Sequence, residues 1–182
     1  MGNPINPIVT EPTSYRNNRF GQGLIKRLSR VDQPMSEAAA VRVALDHENM
    51  RCSEVSGFSS ASYITQLRRF ASGMCTDLEM FAHYLGDDAR PVANLIMEGN
   101  EFGEYWLKSL AVDPETQESG WGWRAEVALI RAVADILVDV GASAFMVNVQ
   151  RGQEQLMARY QELGFRREVP FENGFTTLVM DL

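Results

Sequence analysis

The sequence predicts an α/β chain built on one central, mostly antiparallel mixed sheet flanked by helices, and three observations carry this. Short apolar runs of strand length alternate with turn residues through the second half of the chain. Two segments there, 123–140 and 153–163, carry apolar residues at helical spacing. A glycine-rich turn, Gln117-Glu118-Ser119-Gly120-Trp121-Gly122, joins a strand-like run to the first of them.

Residues 1–20 carry Pro4, Pro7 and Pro12 among Asn, Thr and Ser, which predicts an extended arm suited to partner contact. Residues 21–182 form the single folded domain. A strand is expected at 24–31. Pro34 with Ser36-Glu37 then opens a helix over 37–49, and a second follows at 61–74, with a polar loop between. The runs 78–85 and 91–97 flank Gly86-Asp87-Asp88-Ala89-Arg90 and read as a hairpin. Gly99-Asn100 turns the chain into a strand at 105–112. The helix over 123–140 places Val127, Ile130, Val133, Ala134, Leu137 and Val140 on one stripe. A strand at 142–149 precedes the last helix, which directs Leu156, Met157, Tyr160 and Leu163 inward. Gly164 is its left-handed cap and Phe165 the apolar follower. The segments 166–169 and 175–182 close the sheet as a hairpin.

The 182 residues suffice for one domain with a real core, and 45 % apolar with 23 % charged content is ordinary for a globular chain. No apolar run reaches the roughly 20 residues a membrane span needs, and the start lacks the basic and apolar parts of a signal peptide. A net charge of −7 argues against a general nucleic-acid surface. Arg16, Arg19, Lys26, Arg27 and Arg30 form a local basic strip, read as one exposed strand face or as a partner-docking or phosphate-contacting strip. Cys52 and Cys75 stand alone, which fits a reducing cytoplasm and neither a metal site nor a disulfide framework. His47 and His83 are isolated and read as structural.

A glycine-rich turn between strand and helix is suited to hold a phosphate. The first amides of a helix have no intrahelical partner, the helix dipole favours an anion there, and glycine leaves no Cβ in the way. Upstream of this turn stands Val112-Asp113-Pro114, and beyond the next strand comes Tyr160-Gln161-Glu162-Leu163-Gly164-Phe165. The set Val-x-Pro-x-x-Gln-x-x-Gly-x-Gly, a helix, a strand and Tyr-x-x-x-Gly-Phe resembles the GNAT superfamily of N-acetyltransferases, from about Leu78 to the C-terminus.

The resemblance implies an acyl-coenzyme A fold and acetyl-CoA as cosubstrate, with no metal. It implies that the loop Gln117, Glu118, Ser119, Gly120, Trp121 and Gly122, with Trp123 and Arg124 at the helix start, holds the pyrophosphate. It places the pantetheine arm along Leu110, Ala111 and Val112, in a gap where this strand parts from the next. A backbone N–H near Leu110 or Ala111 would meet the thioester oxygen, and Tyr160 would protonate the leaving thiolate. Gln153 stands where family members often carry a pantetheine-binding Asn. For the base, Glu104 lies nearest the family's glutamate, whose own place Trp106 takes, and Glu98 and Glu101 are alternatives.

The expected function is acetyl transfer to a primary amine, on a protein (lysine or N-terminus) or a small molecule. The alternative is a GNAT-fold protein with weak or no catalysis that serves an assembly, for example a phage virion or bacterial complex. The proline-rich arm, Trp106 and Gln153 speak for it, and the arm would then mediate self-association or assembly.

Overall fold

The computed structural model describes residues 13–17, 21–28, 78–85, 91–113, 115–116, 122–170 and 174–182. The expected helices at 37–49 and 61–74, the basic residues Arg19 and Arg30, His47, both cysteines and the loop residues Gln117 to Trp121 lie outside them.

Among the described residues eight strands form one sheet in the order β1-β2-β3-β4-β5-β6-β8-β7. They are β1 (Thr13–Asn17), β2 (Gly21–Leu28), β3 (Leu78–Leu85), β4 (Pro91–Gly99), β5 (Glu104–Val112), β6 (Ala144–Gln150), β7 (Arg167–Pro170) and β8 (Phe175–Asp181). β5 and β6 pair in parallel and every other neighbouring pair is antiparallel. The parallel pair needs a crossover, and helix α1 (Gly122–Asp139) supplies it. Helix α2 (Glu154–Glu162) leads from β6 to the closing hairpin β7–β8. This is the mixed, mostly antiparallel sheet with flanking helices that the sequence predicts.

Thr13–Asn17, expected within the arm, is instead an edge strand paired with β2 from Thr13↔Ile25 to Asn17↔Gly21. The prolines all precede it, so nothing in it blocks a ladder. The basic strip is also divided. The Arg27 guanidinium binds the Glu79 carboxylate through Nε and Nη2, each at 2.6 Å, and Lys26 lies 5.1 Å from the centre of the Tyr84 ring.

β3 and β4 are buried on both faces. On one face Ile25, Phe81, Leu95, Met97, Tyr105, Leu107, Phe145, Val147 and Val149 pack with Leu129, Val133 and Leu137 of α1 and Tyr160 of α2. On the other face Met80, Ala82, Ile96 and Met146 are also buried. His83 belongs to the first face and is buried under α1. Its Nδ1 lies 3.3 Å from the carbonyl oxygen of Ala125, where it donates and ties the helix start to β3. Burial pushes the imidazole pKa down and this bond pushes it up, burial being the larger effect. His83 is structural, as expected.

α1 and α2 end in the same way. Ala142 N–H reaches Leu137 O and Gly141 N–H reaches Val138 O; Phe165 N–H reaches Tyr160 O and Gly164 N–H reaches Gln161 O. These paired closures are Schellman motifs and require the left-handed backbone that Gly141 (φ 75°) and Gly164 (φ 111°) provide.

Candidate active site

β5 and β6 part company halfway along. Their pairing runs from Glu104↔Ala144 to Leu107↔Val147 and stops, although β5 continues to Val112 and β6 to Gln150. A bulge sits at the parting. Met97 faces Leu107 but Ile96 faces Ser109, so Lys108 is an extra residue on β5. An inserted residue bends the strand that carries it and changes which side chains face each side. Leu107 lies in the helix-side core before the bulge; Leu110 and Val112 touch it after.

The register fixes which backbone groups face the gap. Asp113 N–H donates to Val92 O at 2.8 Å, which makes Val112↔Ala93 a non-hydrogen-bonded pair. The N–H and C=O of Val112 therefore point away from β4. By alternation those of Leu110 do too, while Ala111 turns its own toward Asn94. Two donors and two acceptors thus line a gap in which β6 offers no partner. Of the two amides expected from the sequence, that of Leu110 faces the gap.

The helices stand over this gap. α1 packs on β3, β4 and β5 while α2 packs on β8, so the seam between the helices runs above the gap. Gly122 begins α1, whose first turn contains no acidic residue, so no carboxylate of that turn offsets the positive end of the helix dipole. Arg124 is exposed in this turn. Across the seam Tyr160 is buried in α2. The cap of α2 sets its orientation, because Phe165, whose N–H bonds Tyr160 O, also packs edge-on against the Tyr160 ring at 5.5 Å. Phe165 in turn lies 5.3 Å from Phe145 of β6.

Sequence reasoning did not single out Glu126. It sits on α1, partly buried, facing Tyr160 and Arg159 of α2. Burial raises its carboxyl pKa to about 7, against a smaller lowering by Arg159. Burial, and then the Glu126 charge, push the Tyr160 phenol above its usual range. The signal was in the spacing: Glu126 stands one helical turn before Ile130 and two before Val133, in line with the buried stripe.

The sheet face opposite α1 and α2 also borders the gap. Trp106 there packs on Ala144, Met146 and Val179. Lys108 Nζ meets Glu98 Oε2 at 2.6 Å. Asn148, the first residue of β6 beyond the parting, is exposed and accepts the Thr177 hydroxyl on its Oδ1 at 2.7 Å. Glu104 lies at the other end of β5, four residues before the bulge or roughly 13 Å along an extended strand. Its carboxylate takes a bond from Asn100 Nδ2 at 2.9 Å, and Asn100 Oδ1 accepts the N–H groups of Phe102 and Glu104. The structure thus engages Glu104 in closing the β4–β5 turn. Gln153 is the N-cap of α2 and makes no side-chain cap bond. Of the expected pyrophosphate loop, Gly122 and Arg124 have the places given above; Trp123 follows Gly122 in α1.

Among the described residues no group of three or more His, Cys, Asp or Glu side chains could hold a metal. Among them also, no helix is long and apolar enough to cross a membrane.

No protein-family model and no curated protein sequence matches the chain. Solved structures do. The ribosomal-protein-S18-alanine N-acetyltransferase from Escherichia coli is 20 % identical with a TM-score of 0.55, over 88 % of this chain and 95 % of that one. The PaiA N-acetyltransferase from Thermoplasma acidophilum, solved with coenzyme A, is 12 % identical with a TM-score of 0.60, over 87 % and 99 %. The GNAT domain of S. lividans PAT is 16 % identical with a TM-score of 0.58, over 89 % and 92 %. The chain has the fold of the GNAT acetyltransferases.

Proposed function

We propose that this chain is an acetyl-coenzyme A-dependent N-acetyltransferase acting on a primary amine. The parting of β5 from β6 beyond Leu107↔Val147, with the N–H and C=O groups of Leu110 and Val112 turned into it, carries the reading. An extended amide chain such as pantetheine pairs with a strand edge as another strand would. Support comes also from the start of α1 at Gly122, which can accept a pyrophosphate at its free amides. The loop Gln117 to Gly122 would complete that cradle, with Trp123 and Arg124 beside it.

In this reading the amine attacks the thioester carbonyl carbon, the C–N bond forms and the C–S bond breaks. The Leu110 N–H meets the charge that develops on the carbonyl oxygen. Tyr160, above the gap, gives its proton to the departing thiolate. Glu126 lies beside it and, while protonated, leaves the phenol without a neighbouring negative charge. Glu104 is occupied by Asn100, so water beside the exposed Asn148 takes the proton of the attacking amine. Coenzyme A in the structure of the Thermoplasma protein supports the choice of cosubstrate.

The test is thiol release from acetyl-CoA by the full chain in the presence of a panel of primary amines, with mass spectrometry of the products. Amine-dependent thiol release with an acetylated product supports the reading. A folded protein that binds no coenzyme and acetylates none of the amines would favour the assembly role instead.

A further inference from the structure

The helix side of the gap is closed by Tyr160 and its buried neighbours, whereas the opposite side exposes Asn148. An acceptor that reaches the thioester therefore enters past Asn148 and Lys108. Both lie on this face. Asn148 alternates with Val147 and Val149, which belong to the helix-side core, and its partner Thr177 alternates with Leu178, which does too. Lys108 reaches Glu98, the residue directly opposite Trp106 on the same face.

What these two side chains can still do follows from the bonds they already make. The Thr177 hydroxyl occupies Asn148 Oδ1 from the β8 side, which turns Nδ2 toward β5 and the gap. Glu98 takes one of the three Lys108 ammonium hydrogens, and the others remain. The two residues flank the gap and offer it hydrogen-bond donors. Donors recognise an oxygen.

Resting on the acetyltransferase reading, we propose that Asn148 and Lys108 bind the oxygen of an acceptor whose amine lies on the carbon next to a carbonyl. The acceptor is then an α-amine, as in an amino acid or a peptide N-terminus. An isolated aliphatic amine, such as a polyamine or a lysine side chain, has no oxygen within reach of these donors.

Two probes share an amine and differ in the neighbouring oxygen: trialanine amide with a free N-terminus, and Nα-acetyl-lysine amide. Free alanine as a third probe separates amino acids from peptides. Binding of each to the full chain is measured by calorimetry, with and without coenzyme A, and kcat and KM are measured with acetyl-CoA. The α-amines should bind at least about tenfold more tightly than the lysine amide, and in turnover KM should carry the difference. Asn148→Ala and Lys108→Met should each weaken α-amine binding by about three- to tenfold, the scale of one lost hydrogen bond. Thr177→Val should do so less, by freeing the amide. Asn148→Asp, of the same shape but without the donor, should lose the preference for the α-amines. Equal affinity for the two amine types, or substitutions that weaken both alike, would overturn the proposal. Because binding is read directly, failure of turnover alone counts against the acetyltransferase reading and leaves this preference measurable.

Discussion

Tyr160 and Glu126 show at the scale of single residues how burial sets chemistry. Tyr160→Phe keeps the ring that packs on Phe165 and removes the proton. Turnover should fall by roughly 10²–10⁴-fold with coenzyme affinity little changed, as steady-state kinetics and calorimetry would show. Equal turnover would leave Tyr160 as a core aromatic. Glu126 has a raised pKa in the fold, so its contribution to stability is present in full below about 4.5 and is lost as pH rises toward about 7. Glu126→Gln does not titrate. Relative to the parent it should gain stability between pH 5 and pH 8, by on the order of 3 kcal/mol or about 5–10 °C in Tm. A Tm difference that stays flat across that range would place Glu126 in contact with water. The buried place of Tyr160 was legible in the sequence because its context, Tyr-x-x-x-Gly-Phe, is local. The contact of Asn148 with Thr177 was not, since the two come from strands well separated in sequence.

The elements themselves were mostly legible. The run 78–85 became β3 with the same ends, and Gly164 closes α2 as its position foretold. Where the sequence misled, pairing was the missing information. Thr13–Asn17 follows three prolines and reads as arm, yet an available edge on β2 makes it a strand. The bulge at Lys108 has no signature in the residues around it, because it is defined by the register against β4. Gly164 gives the sharpest element-scale prediction. Its φ of 111° is strained for any residue with a Cβ, and an added Cβ would lie 3.4 Å from the Met180 side chain. Gly164→Ala should cost about 1–3 kcal/mol in chemical denaturation. It should also lower turnover, because the same motif orients Tyr160. A variant as stable as the parent would show that the cap tolerates a side chain.

For the whole molecule, the central claim is that the sheet opens between β5 and β6 to take coenzyme A, with its pyrophosphate at the start of α1. A ligand held only by the folded state stabilises it, by about 2.7 kcal/mol at a hundred times Kd. Coenzyme A at that excess should therefore raise Tm by roughly 5–10 °C. The most direct test is calorimetric titration of coenzyme A into the full chain and into Gly122→Asp. An acid at this position suits the helix dipole, so the variant should keep its Tm while its carboxylate repels the pyrophosphate. The account predicts saturable one-to-one binding by the parent and none by the variant. A folded parent that takes up no coenzyme A, or a folded variant that binds it equally well, would contradict it.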